Sequence, residues 1–249
     1  VKGTGIEMHS TTDNMHGDMY LFKEKADVFF CRDEEFVVAI DLKQVSNHLN
    51  AVNSNDFIRI EVTEDDVNKT RPTVRFIANN LQKNYQSVYS VVNLDMGNKR
   101  RRIKDAPFKI EAVVDSVAVE GFLKSNNKSC DRVMLMAVET GELGGLFIIC
   151  KKFQARAQNM LHYKPLPRQA DNPESTYRVC FKKDVFMLMD LLLIMRCASL
   201  DRRVRIFLRD DYTICLKFDV GVLGHITFHL LPNERCVQEK PDIPRDNAF

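Results

Sequence analysis

The chain has 249 residues, 45% of them hydrophobic, enough for one large core or two smaller ones. Its 36 Lys and Arg nearly balance 34 Asp and Glu, so affinity for an anionic partner must come from where the charges lie and not from the net +2. The longest apolar stretch, "VFMLMDLLLIM" (185–195), is too short for a bilayer span and carries Asp190, so no membrane partner is expected.

Seven cysteines (31, 130, 150, 180, 197, 215 and 236) show no CxxC and no paired His spacing, and five sit inside apolar runs. That pattern argues for a reducing, intracellular setting and against a disulfide framework or a zinc site. The first residue is Val1, nothing resembles a signal peptide, and the start reads as that of a fragment.

In chain order, "DVFFCRDEEFVVAI" (27–40) reads as two apolar runs around a charged turn. "DLKQVSNHLNAV" (41–52) then reads as a helix. "FIRIEV", "TVRFIA" and "VYSVV" follow with period-two alternation and read as strands. "KIEAVV" leads into a second helix, "DSVAVEGFLKSNN" (115–127). "RVMLMAVETGELGGLFIIC" is a hairpin turning at Gly141 to Gly145. Residues 151–176 form a long basic connection. A third helix is expected over 182–198, and "VRIFLRDDYTICLKFDVGVLGHITFHLL" reads as three strands broken at Asp210-Asp211 and at Gly221/Gly224. The tail from residue 233 is polar, contains prolines and reads as disordered.

Each helix follows an apolar strand and leads through a short polar turn ("NSND", "KSCD", "SLDRR") into an alternating strand. The unit recurs at intervals of roughly 70 residues, which points to internal duplication. Two units after the connector at 93–107 and one before it imply that a unit is missing ahead of residue 1.

Several segments together resemble the DNA sliding clamp of the proliferating cell nuclear antigen family: "GIEMHSTTDN", "DLKQVSNHLNAVNSND", "VNLDMGNKRRRIKDAPF", "SVAVEGFLKSNNKSCDRVMLMAVETGELGG" and "FDVGVLGHITFHLLP". They fall in the family's order over Gly5 to Pro232. The resemblance implies an α+β fold of two similar clamp domains, with antiparallel sheets outside and helices lining the inner face of a ring. The expected divisions are a clamp domain at 1–92, an interdomain connector at 93–107, a second clamp domain at 108–232 and the tail at 233–249.

The implied function is a DNA polymerase processivity factor. As a homotrimer ring it encircles double-stranded DNA without regard to sequence and tethers polymerase, clamp loader and other proteins carrying short clamp-binding peptides. The implied location is the nucleus, or a viral replication site. No cofactor, metal or enzymatic activity is expected.

The resemblance places Lys124, Lys128 and Arg196 among inward-facing cations, and helical spacing adds Lys43 and Lys182. Such residues make sequence-independent phosphate contacts; ordinary solvated helix ends look the same. Asn47 and Asn50 stand where the family has lysines, and Met189 where it has arginine. By family register the partner-peptide pocket uses Met8, Met15, Leu94, Met96, Ile103, Thr213, His229, Leu231 and Pro232, residues that also suit a core. Thr213 replaces a family proline. Ile149 stands near a family lysine that accepts ubiquitin, so that regulation does not carry over.

The run from Lys99 to Lys104 carries five cations in six positions. It reads as a solvated linker or a nuclear address, and as part of the connector it is expected to favour peptides with acidic flanks.

His225 and His229 share one strand face with no third ligand evident, which reads as structural. No nucleophile context is visible, and "GELGG" lacks phosphate-loop spacing. Two alternatives stay open. One is a subunit of a heteromeric checkpoint-type or viral clamp-like complex. The other is a metal-dependent nuclease using dispersed carboxylates such as Glu64, Asp65 and Asp66.

Overall fold

The computed structural model describes residues 5–12, 14–31, 38–53, 55–63, 73–80, 82–92, 110–138, 145–152, 158–163, 184–208 and 213–231. The chain separates into two units, one of residues 31–102 and one of residues 2–30 and 103–249. The whole is α+β with antiparallel sheets, as the sequence implies.

The N-terminal strands β1 (Gly5–Thr11) and β2 (Met15–Phe22) form a hairpin, and Lys23–Lys25 make one 3₁₀ turn. The smaller unit then holds helix α1 (Leu42–Leu49) and strands β3 (Phe57–Thr63), β4 (Thr73–Asn80) and β5 (Tyr85–Val92), paired antiparallel in the order β3-β4-β5. Asp41 starts α1 by accepting from the backbone N–H groups of Lys43 (2.9 Å) and Gln44 (3.4 Å), which would otherwise lack intrahelical partners. Val45, the buried residue of α1, joins Val74, Phe76 and Val91 in this unit's core. The turn into β3 is held by Asp56. Its carboxylate accepts from Asn53 N–H (2.9 Å), the Asn80 side chain and the Tyr85 hydroxyl (3.0 Å).

The larger unit runs through β6 (Ile110–Asp115), α2 (Ser116–Asn126), β7 (Arg132–Val138), β8 (Gly145–Lys151), β9 (Gln158–Tyr163), β10 (Asp184–Met187) and α3 (Leu188–Ile194). The 3₁₀ turn Met195–Ser199 extends α3, and β11 (Arg203–Leu208), β12 (Ile214–Val220) and β13 (Gly224–Leu230) follow. Its sheets have the orders β1-β2-β13-β12-β11-β6 and β10-β7-β8-β9. Along β11 and β12, alternate residues Val204, Ile206, Leu208, Ile214, Leu216 and Phe218 are buried. They meet Val119 and Leu123 of α2 and Leu191 and Ile194 of α3 in one continuous core.

The repeated unit is present as β6-α2-β7 and β10-α3-β11. Ser116 ties the two copies together: its hydroxyl donates to the Asp201 carbonyl (2.6 Å) and its N–H to the Arg202 carbonyl (2.8 Å).

The structure corrects four readings. Residues 184–187, expected as the start of a helix, are strand, because this apolar run pairs with β7 from Asp184↔Leu135 to Met187↔Arg132. Residues 38–40, expected as a strand ahead of the first helix, are not part of a ladder strand. Residues 158–163 form β9 inside what reads as a connection. The hairpin of residues 5–22, expected in the N-terminal domain, belongs to the larger unit, because β2 pairs with β13 along its whole length. The connector at 93–107, the basic run within it and the tail at 233–249 lie outside the described residues.

The β2–β13 seam requires a glycine. A Cβ on Gly224 would run into the Tyr20 carbonyl oxygen across the pair Gly224↔Leu21, whereas one on Gly121, in mid-α2, would meet open space. Gly224→Ala is therefore expected to destabilise the protein by at least the ~1–3 kcal/mol of an overpacked site. Gly121→Ala is expected to stabilise it by about 0.5–1 kcal/mol through backbone entropy and helix propensity. Urea unfolding of both variants checks the opposite signs.

Candidate functional site

Two surfaces carry the residues singled out in the sequence. The first is the outward stripe of α2 and α3. On α2 it runs through Val117, Gly121 and Lys124 toward Lys128; on α3 it runs through Met189 and Leu193 toward Arg196 and Leu200, each at helical spacing.

Lys124, Lys128 and Arg196 are exposed as expected. They share the stripe with apolar side chains: Val117, Met189, Leu193 and Leu200 are 55%, 59%, 46% and 45% exposed. Lys124 is also neutralised in part, its Nζ lying 2.7 Å from Glu120 Oε1 one turn back. Lys43 is exposed on α1 of the smaller unit, with Asn47 and Asn50 also exposed, and Lys182 lies outside the described residues. The stripe is thus mixed, with few free cations among the described residues.

The second surface is the face of β1, β2 and β13 turned away from the core. Alternation along the strands sends Met15 and Leu230 inward and His16 and His229 outward. Met8 alternates with His9 on β1, so the predicted pocket residues do not share a face. Met8 and Met15 lie on the core side, with Met15 packed into the core, whereas His229 lies on the opposite side. Thr213 is buried just before β12, and Leu231 is exposed with its N–H bonded to the Asn14 carbonyl (2.9 Å). Leu94, Met96, Ile103 and Pro232 lie outside the described residues, as do Glu64, Asp65 and Asp66.

What the outer face brings together was not foreseen. The register sets His9 opposite Asp18, and His16 opposite His229. His9 Nδ1 lies 2.5 Å, and His16 Nε2 2.9 Å, from the same oxygen of Asp18, and Glu7 Oε2 stands 3.6 Å from His9 Nε2. The rings of His9, His16 and His229 follow one another at centroid spacings of 6.3 and 6.2 Å. His225 lies on the same face of β13 as His229, as the sequence reading has it, and packs beside the rings of Tyr20 and Phe22. Burial, aided by Lys217, holds its imidazole below the usual histidine range. The available signal was the spacing H-x₆-H-x-D, which becomes a cluster only once residues 5–22 are recognised as a hairpin.

Antiparallel sheets backing short helices, with a strand–helix–strand unit used twice in one unit, define a clamp-type α+β architecture. No protein-family model matches the chain, and no curated protein matches it. Among solved structures it is similar to a PCNA2–PCNA3 complex from Sulfolobus tokodaii, with a TM-score of 0.72 and 12% sequence identity over 93% of this chain and 87% of that one. The likeness is therefore one of fold, and the chain has the fold of a PCNA-type sliding clamp, strongly diverged in sequence.

The cationic end of α2 depends on the aspartate at its start. Asp115 accepts from Ala118 N–H (2.8 Å) and from Arg202 Nε (3.2 Å), and these bonds hold its carboxyl below the ordinary value of 3.8. A depressed carboxylate contributes stability that is complete above the ordinary value and is lost as pH falls through the lower, folded one. Asp115→Asn should therefore lose less stability than the parent chain below about pH 4, as read by denaturant melts across that window.

Proposed function

We propose that the chain is a subunit of a DNA sliding clamp. It would encircle duplex DNA as a ring and tether a DNA polymerase and other peptide-bearing replication and repair proteins, as a scaffold and without chemistry of its own. The observation that carries this reading is the clamp fold extending over 93% of the chain. The open edges of β5, β9 and β10 among the described residues support ring closure, because head-to-tail strand pairing between copies would remove such edges. Lys43, Lys124, Lys128, Lys182 and Arg196 are the proposed phosphate contacts, and Thr213, His229 and Leu231 with the connector residues are the proposed peptide contacts. The proposed setting is the nucleus, or a viral replication site.

The deciding experiment is ATP-dependent loading onto primed circular DNA by a clamp loader, scored by polymerase processivity. A gain in processivity supports the reading; its absence, with the loader active on its own clamp, overturns it. For the DNA face, Lys128→Ala with Arg196→Ala is expected to flatten the plot of log affinity against log salt by about 0.9 per lost phosphate contact. An unchanged slope removes these two residues from the DNA face.

A second reading is favoured by two observations. The solved structure described above is a complex of two different chains, and the helical stripe here mixes apolar side chains with its cations where a self-sufficient DNA-facing surface would be more strongly cationic. In this reading the chain is one subunit of a heteromeric clamp whose other members supply more of the positive field. Native mass measurement separates the two: a homotrimer supports the homomeric ring, and a monomer that assembles only with different clamp-fold chains supports the heteromer.

A further inference from the structure

We propose that His9, His16 and Asp18 form a binding site for a divalent transition-metal ion of the Zn²⁺ type on the outer face of the β1–β2–β13 sheet. The inference rests on strand register and donor chemistry and is independent of the clamp reading.

Three features carry it. The donor set is two imidazoles and a carboxylate, which a borderline ion of this type accepts, whereas Mg²⁺ and Ca²⁺ favour all-oxygen sets and not the two imidazole nitrogens. One ligand atom from each residue lies within 4.8 Å of the other two. The two contacts to Asp18, 2.5 and 2.9 Å, are somewhat shorter than the about 3.3 Å that separates ligand atoms around a tetrahedral zinc ion, so the ligands need only part slightly to admit one. Entry of the ion replaces the two His–Asp contacts by ligand bonds. Finally, the outer shell is in place. Glu7 stands beside Nε2 of His9, the ring nitrogen opposite the one facing Asp18, as the carboxylate of a carboxylate–histidine–metal arrangement does. A water molecule or the neighbouring His229 ring completes the tetrahedron.

The ligands are carried by a rigid frame. His9 and Asp18 are directly paired across the hairpin, and His16 is paired on its other side with His229 of β13. The side chains of His9, His16 and Asp18 are 38%, 16% and 33% exposed, so an ion can enter from solvent while the backbone geometry is held by ladders on both sides of β2. The ion would staple the edge strand β1 to its neighbour.

The test is metal binding to the intact chain, with thiols kept reduced. Equilibrium dialysis with Zn²⁺ should give one ion per chain at this site. Co²⁺ should give the visible absorption of a tetrahedral nitrogen–oxygen site without a thiolate charge-transfer band. Asp18→Asn and His16→Ala should abolish this binding, and Glu7→Gln should weaken it by about 10–100-fold as an outer-shell change. His225→Ala, outside the ligand set, should leave it unchanged. Zn²⁺ should raise the melting temperature of the parent chain but not that of Asp18→Asn, because only an ion held by the folded state shifts the unfolding equilibrium. Asp18→Asn, isosteric on a half-exposed strand position, keeps the test valid if His16→Ala fails to fold. Absence of bound Zn²⁺, equal binding by Asp18→Asn, or a thiolate band with Co²⁺ would each overturn the proposal.

Discussion

The pairing of β2 with β13 is the interaction on which the larger unit depends. It joins a hairpin from the start of the chain to a strand near residue 230, and without it the sheet would end at β13 with the hairpin stranded. The close approach is possible because Gly224 has no side chain to meet the Tyr20 carbonyl. On the inner side this seam brings Met15 against Leu230 and closes the apolar core. On the outer side it brings His16 against His229. One backbone ladder thus fixes both the packing and the chemistry of the two faces.

Elements whose signals are local were legible in the sequence. The strands β3, β4, β11, β12 and β13 show roughly period-two alternation between turns, β7 and β8 are apolar runs flanking a Gly-rich turn, and α1 and α2 each begin at an aspartate that satisfies helix N–H groups. Segment 184–187 was misread because a continuous apolar run has the same appearance in a buried strand and in a buried helix. The allegiance of residues 5–22 was misread because nothing local says that β2 will pair with a strand so distant along the chain. His225 and His229 share one strand face, as read, but the rings beside them, Tyr20 and His16, come from another segment and were not legible for the same reason. The exposed cations of α2 and of the turn after α3 were legible from helical spacing and family register; the apolar character of the surface between them required the burial pattern.

The two candidate surfaces have different physical characters. The helical stripe offers scattered positive charge among Met, Leu and Val side chains, suited to loose and sequence-indifferent contact. The outer sheet face offers imidazoles and carboxylates held in register, suited to contacts of defined geometry. The two characters belong to different elements of one unit.

The insertion of residues 31–102 between β2 and the rest of its own unit has a consequence for biogenesis. On the ribosome, Leu21 emerges early and waits for Gly224 before the seam can close. Until then the hairpin exposes an unpaired β2 edge and the apolar side of Met15, while the smaller unit, whose sheet needs only nearby strands, can complete itself. Late pairing of distant strands makes closure slow and leaves an aggregation-prone edge open during synthesis. Chaperone dependence in the cell would accordingly trace to the first strands made and not to the last.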